Sequence, residues 1–326
     1  MRNPICLFTG SFPPVFVRLL SLLTAIALAG CTISATGHSP ETPRPLLQQW
    51  LVLSGAQAGA SQLGFPGTGY ITLRRPTALS ARDNVIYLID SGLNRIFRYN
   101  RDQQTLTPFT NLPVSANTRI YTAPDRSVYI TEPTRAEVLH FSSDGTQLPS
   151  FVSPGNLARP VSVSVDESTG LILVADGLFD QIITFNNMGR TLSVVKPQQG
   201  IAIASMATGP DGIYITDRIG RRVVVLRTDG TIRYVLGAQH LGNPGAIAVS
   251  RDNLVFVNDN FDQTIKVFKA QKNAPQGESE TMLTKVGGPG SGPGSFNSID
   301  GLAVDGSILY VADSLNARVQ IMLINQ

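Results

Sequence analysis

A carboxylate recurs six times in this chain at nearly constant intervals, and its surroundings recur with it. Asp90, Glu132, Asp176, Asp217, Asp259 and Asp313 each end a short apolar run and open a polar turn. Six residues past them stand Ile96, Val138, Ile182, Val223, Ile265 and Val319, and nine past them Tyr99, Phe141, Phe185, Leu226, Phe268 and Met322. The intervals are 42, 44, 41, 42 and 54 residues, a period that belongs to solenoids and propellers. One repeating domain therefore replaces the two that 326 residues would otherwise suggest.

Each repeat reads as four strands. The first strands lie near 76–80, 119–123, 161–165, 205–208, 246–249 and 301–304. A turn rich in Asp, Asn or Gly leads to a second strand such as Ile308-Leu309-Tyr310-Val311-Ala312, which is apolar throughout. A strand with one wet face alternates, so an unbroken run means that both faces are covered. Sheets stacked face to face around an axis cover both. The third strand opens after the carboxylate turn, the fourth is weaker, and a polar insertion at 270–281 accounts for the longest interval. With 42% hydrophobic residues, 15% charged and 30 glycines, the composition suits short strands joined by tight turns.

The final repeat stops at Gln326 just after its third strand, and an open ring would leave a bare sheet edge. Leu51-Val52-Leu53-Ser54-Gly55-Ala56-Gln57 parallels Tyr234-Val235-Leu236-Gly237-Ala238-Gln239, which ends the fourth repeat. The earlier segment is thus expected beside 318–324, as the missing outer strand. The expected fold is all-β: a six-bladed β-propeller of four-stranded antiparallel blades over 49–326, closed by an N-terminal strand.

The first thirty residues carry Arg2 and Arg18, then an apolar stretch from Leu19 to Leu28, too short to span a bilayer and suited to a secretory signal. Leu28-Ala29-Gly30-Cys31 resembles the bacterial lipobox, which implies lipidation at Cys31. Thr32 after it resembles the sorting pattern for the outer membrane, with the domain facing the periplasm. Residues 31–48, rich in Thr, Ser and Pro, read as a flexible tether. Removing the signal brings the formal charge from +3 to +1, so nucleic acid is not implied. It also removes Cys6, leaving no pair of cysteines for a disulfide or thiolate cluster.

The stretch Val286 to Asp305, VGGPGSGPGSFNSIDGLAVD, followed by ILYVADSLNARVQIM, resembles the NHL repeat, whose blades form six-bladed propellers. The other repeats match chiefly in strands two and three, and together they span 76–326. Ile299 stands where the family usually has proline, and Pro133-Thr134-Arg135 replaces the usual turn in the second repeat.

Little in the sequence points to catalysis. The carboxylates, one per blade, are placed to accept backbone N–H groups of the next turn, with Arg95, Arg222 and Arg318 as ion-pair partners. His38 falls in the tether, His140 on a third strand and His240 in a loop, none in register with the axis. The glycines of 287–294 fit neither a dinucleotide fingerprint nor a phosphate loop, and no cofactor motif is present. Aligning the starts of the first strands puts Thr77, Arg119, Val161, Ser205, Gly245 and Asp300 around the axis. One carboxylate and one guanidinium among apolar neighbours make a poor cation cage. The reading is a lipid-anchored binding or assembly module of the bacterial envelope, with Thr77, Arg119 and Asp300 facing a protein, peptide or glycan partner. Its alternative is a calcium-dependent, lactonase-like propeller hydrolase or lyase.

Overall fold

The computed structural model describes residues 44–59, 69–197, 200–270 and 280–325. Cys31, His38, the signal segment and most of the 270–281 insertion lie outside them. The first strands are β1 (Leu47–Leu53), β2 (Gly55–Ala58) and β3 (Tyr70–Thr72). Blade 1 follows with β4 (Pro76–Arg82), β5 (Val85–Asp90), β6 (Arg95–Asn100) and β7 (Thr105–Thr110). Blade 2 holds β8 (Ile120–Thr122), β9 (Val128–Glu132), β10 (Glu137–Phe141) and β11 (Gln147–Phe151), and blade 3 holds β12 (Pro160–Asp166), β13 (Leu171–Asp176), β14 (Gln181–Phe185) and β15 (Thr191–Val195). Blade 4 comprises β16 (Ile203–Gly209), β17 (Gly212–Asp217), β18 (Arg222–Leu226) and β19 (Ile232–Leu236). Blade 5 comprises β20 (Pro244–Val249), β21 (Leu254–Asp259), β22 (Thr264–Ala270) and β23 (Glu280–Gly287). Blade 6 takes β24 (Ile299–Asp305), β25 (Ile308–Asp313) and β26 (Arg318–Ile324).

Every blade is antiparallel, and β4, β8, β12, β16, β20 and β24 form the inner ring, with β24 beside β4. β1 completes blade 6, pairing from Leu47↔Ile324 to Leu53↔Val319. The closing strand ends at Leu53, earlier than the sequence parallel suggests. From Gly55 the chain crosses to blade 1, where β2 runs parallel to β7 through Gln57↔Thr105 and carries β3 at the sheet edge. Arg101 locks this junction: its Nη1 donates to Tyr310 Oη at 2.8 Å and its guanidinium lies 5.5 Å from the Trp50 ring centroid.

The unbroken apolar runs are explained by where the cores sit. Six clusters of buried side chains each lie between two neighbouring blades: Phe256 and Val267 meet Leu309 and Val311 between blades 5 and 6, and Ile86 and Leu88 meet Tyr310 and Ile321 between blades 6 and 1. A full aliphatic or phenyl side chain buried this way contributes about 1.5–3 kcal/mol, so the ring holds by packing without a disulfide. Residues 44–326 form one compact unit containing every blade and the closing strand, the extent expected of a domain that folds by itself.

The carboxylates tie this architecture together. Asp176 is fully buried and accepts four backbone N–H groups: Ala158 and Arg159 from the loop entering β12, at 2.7 and 2.6 Å, and Leu178 and Phe179 from its own turn, both at 2.8 Å. Asp90 joins Arg74 and Arg75 to Leu93 in the same way, and Asp259 joins Gly242 and Asn243 to Phe261. The carboxylate reaches both its own turn and a loop sixteen or so residues upstream, a strut between two segments of one face. Arg222 and Arg318 form the expected ion pairs at 3.1 and 2.8 Å, whereas Arg95 is exposed and blade 5 uses Lys266 on Asp259 instead. In blade 2 the altered turn takes effect: Glu132 is half-buried and, among the described residues, its carboxylate bonds only Thr134, while Thr131 Oγ1 accepts the Arg119 N–H at 2.8 Å. The residue four past the carboxylate is left-handed in all six blades, with φ near 50° at Asn94, Ala136, Asp180, Arg221, Gln263 and Ala317.

Candidate functional site: the axial channel

The inner strand of each sheet has its free edge toward the axis, so unpaired backbone N–H and C=O groups line the channel. The cavity there measures about 710 Å³ and is lined from all six inner strands. Its two ends differ in the turns that form them. The carboxylate face carries the loops entering the inner strands and the turns after each carboxylate; the hairpin face carries the turns from inner to second strand.

At the carboxylate face the pairing of inner and second strands is interrupted by a bulge in five blades, at Thr77, Val161, Ala204, Gly245–Ala246 and Asp300. A bulge re-aims the side chain it carries. Ser205, aligned there by the sequence, instead pairs with Thr216 and sits one step down the channel wall, with Ala204 in the bulge. Arg119 and Asp300 line the cavity, and Thr77 lies behind its wall, fully buried, with Oγ1 lacking a hydrogen-bond partner. Arg119 makes no ion pair with Asp300. Its Nη1 donates to the carbonyls of Ala116 and Thr118 at 2.7 and 3.0 Å, and among the described residues nothing accepts from Nε or Nη2. Burial lowers the guanidinium from its ordinary value, with Asp300 acting against that shift from across the mouth. Asp300 itself accepts from Ser298 Oγ at 2.9 Å. An arginine held by two loop carbonyls, with donors left over, is oriented for an acceptor that enters the channel.

The hairpin face holds a second charged group that the sequence reading passed over. Glu167 pairs with Arg82 through Oε1 and lies 3.7 Å from Arg251 through Oε2, joining blades 1, 3 and 5 across the opening. Burial pulls Arg82 down, but Glu167 and then Tyr121 more than offset it. A trace of this cluster exists in the sequence: the residue just before each inner-to-second turn is Arg82, Glu167 or Arg251 in alternate blades, and Pro124, Pro210 or Val304 in the others. Between the ends, the wall carries hydroxyls in blades 3 and 4, where Ser164 Oγ and Thr208 Oγ1 bond at 2.7 Å, and aliphatic groups such as Ala248 and Leu302 in blades 5 and 6.

Among the described residues no histidine lines the cavity. His140 stacks on Tyr129 with ring centroids 4.5 Å apart, and His240 lies 6.3 Å from Phe268. Among the described residues no three His, Cys, Asp or Glu side chains come together, and Asp300 facing Arg119 does not fit a hard cation.

No protein-family model and no curated protein matches the sequence. Solved structures do share the fold. A protein of unknown function from Bacteroides thetaiotaomicron aligns with a TM-score of 0.61 at 13% identity, over 78% of this chain and 70% of that one. Streptogramin B lyase aligns at 0.59 and 14%, over 78% and 95%. A catalytically inactive histidine-to-alanine variant of virginiamycin B lyase from Staphylococcus aureus, with quinupristin, aligns at 0.58 and 14%, over 86% and 99%. At such identities the likeness is one of fold: the chain is a six-bladed β-propeller.

Proposed function

We propose that this chain is a lipid-anchored binding module of the bacterial envelope, built on NHL-type blades, whose axial channel takes the carboxylate- or carbonyl-bearing end of a peptide, protein segment or acidic glycan. The observation that carries the reading is Arg119, fixed on the cavity wall by two loop carbonyls with Nε and Nη2 left for a ligand. Free backbone edges supply further donors and acceptors, and the aliphatic side of the channel suits a ligand with an apolar face. A panel of envelope-derived peptides and acidic oligosaccharides, screened by thermal shift and then calorimetry, tests this. Arg119→Ala should weaken any binder about tenfold or more, the loss that goes with removing a charge-assisted pair. Unchanged affinity with only a lowered melting temperature would make Arg119 a structural residue and remove the site.

The anchor has its own test: Cys31→Ser should release the protein from membranes, and retention without the lipid would defeat it. The competing lyase or hydrolase reading draws on the fold shared with streptogramin B lyase. Against it stands a cavity wall that, among the described residues, carries no histidine. Turnover of a lactone or of quinupristin by the purified protein would favour that reading over the binding module.

A further inference from the structure

Large apolar side chains recur at one repeat position on the carboxylate face. Two residues past the carboxylate stand Leu178, Ile219, Phe261 and Leu315 in blades 3 to 6, exposed by 57, 74, 81 and 56%. Blades 1 and 2 have Gly92 and Thr134 there. These side chains contribute little to the inter-blade cores, and equivalent turns of one ring stand at one height, so the four tips define an arc lying in a plane. Phe179, beside Leu178, is also exposed by 40%, and the tips of different blades are separated by polar turn residues, so the arc has no single contiguous apolar centre of the kind a protein interface needs. The exposed charges between the tips are Arg159, which reaches the Gly177 carbonyl, and Arg218 and Arg221, on either side of Ile219. The acids in the same turns are engaged: Asp180 accepts the Ile203 N–H at 3.1 Å, and Asp262 pairs with Lys266 and Lys285, both at 3.3 Å.

We propose that this arc docks on an anionic lipid surface, with Leu178, Ile219, Phe261 and Leu315 entering the headgroup layer and Arg159, Arg218 and Arg221 meeting lipid phosphate. Single apolar tips in a plane, spaced by cations, match a flat interface that is apolar a few ångströms down and negative at its surface. The surface is independent of what the channel binds and of lipidation at Cys31. It is also compatible with that anchor. β1 starts at the hairpin face, yet at about 3.4 Å per residue the chain from Cys31 to Leu47 can reach about 55 Å, more than the roughly 20–25 Å height of a blade. With the carboxylate face on the bilayer, the mouth that carries Arg119 faces the lipid, and a ligand of the channel enters at the hairpin face, beside the Arg82–Glu167–Arg251 bridge, where exposed Ser307 lines the cavity.

The test uses the compact unit 44–326, which lacks both the signal segment and Cys31, in sedimentation with vesicles. It should bind vesicles of phosphatidylcholine with phosphatidylglycerol, and bind pure phosphatidylcholine or high-salt samples several-fold less. Ile219→Ser with Phe261→Ser should lower the partition coefficient by about tenfold or more per side chain withheld. Arg218→Gln with Arg221→Gln should lower it by about fivefold per charge on the anionic vesicles alone. Met188→Ser, at an exposed side chain in the β14–β15 turn on the hairpin face, should change nothing. Unchanged melting curves would show that the tip variants fold. Absence of vesicle binding by the parent chain, equal binding by the tip variant, or a self-association lost in that variant, meaning that the arc pairs two copies, would each overturn the proposal.

Discussion

Asp176→Asn isolates what the recurring carboxylate does. The wild-type side chain accepts two N–H groups on each oxygen, Ala158 and Arg159 on Oδ2 and Leu178 and Phe179 on Oδ1. An amide keeps one oxygen and turns an NH₂ toward the other two donors, so two buried bonds to a charged acceptor are lost and two backbone donors are left unsatisfied. At about 1.5–3 kcal/mol for each such bond, the loss comes to about 3–6 kcal/mol. For a domain of this size that lowers the melting temperature by about 5–10 °C. Glu132→Gln is the matched control: its carboxylate is half-buried and, among the described residues, bonds only Thr134, so it should cost less than about 1 kcal/mol. Reversible urea denaturation followed by circular dichroism gives both values. An Asp176→Asn protein within about 1 kcal/mol of wild type would show that the carboxylate is no strut.

Burial lowers His140 from its ordinary value against the opposing field of Asp125, so the fold favours the neutral ring. That contribution is whole above about pH 6.5 and is lost as pH falls toward the folded-state value; urea midpoints of wild type should therefore fall more steeply below about pH 6.5 than those of His140→Phe. Arg101→Ala removes the bond to Tyr310 and the contact with Trp50, and should cost about 1–3 kcal/mol with a red shift of the emission of Trp50, the only tryptophan in the chain. Ala317→Gly relieves a left-handed backbone at φ 53° and should raise the urea midpoint by about 0.5–1 kcal/mol equivalent.

The blades were legible because each interface between them repeats the same demand: a buried second strand, a carboxylate turn, and apolar residues six and nine positions on. The closing strand was legible for a negative reason, a repeat that stops one strand short. β2 and β3 were not, because Gly55–Ala58 and Tyr70–Thr72 cover the outside of one blade only, and a strand used once leaves no period. Ser205 was misplaced by one because bulge position is set by backbone geometry, which side-chain alternation does not encode. Thr77 and Asp300 share a bulge position, yet Thr77 lies behind the wall that Asp300 helps to form; the sequence could not tell those orientations apart. The Arg82, Glu167 and Arg251 cluster was written in alternate blades, a double period that a search for sixfold sameness passes over.

The pairing of β1 with β26 sets the order in which the ring can be finished. Leu47 is synthesised well before its partner Ile324, and at about 5–20 residues per second the closing strand waits on the order of tens of seconds for its neighbour. During that interval the nascent domain stays unlatched. A polypeptide cut short before Arg318 never conceals its two bare edges, and so marks itself as incomplete to any protease that recognises unpaired strands.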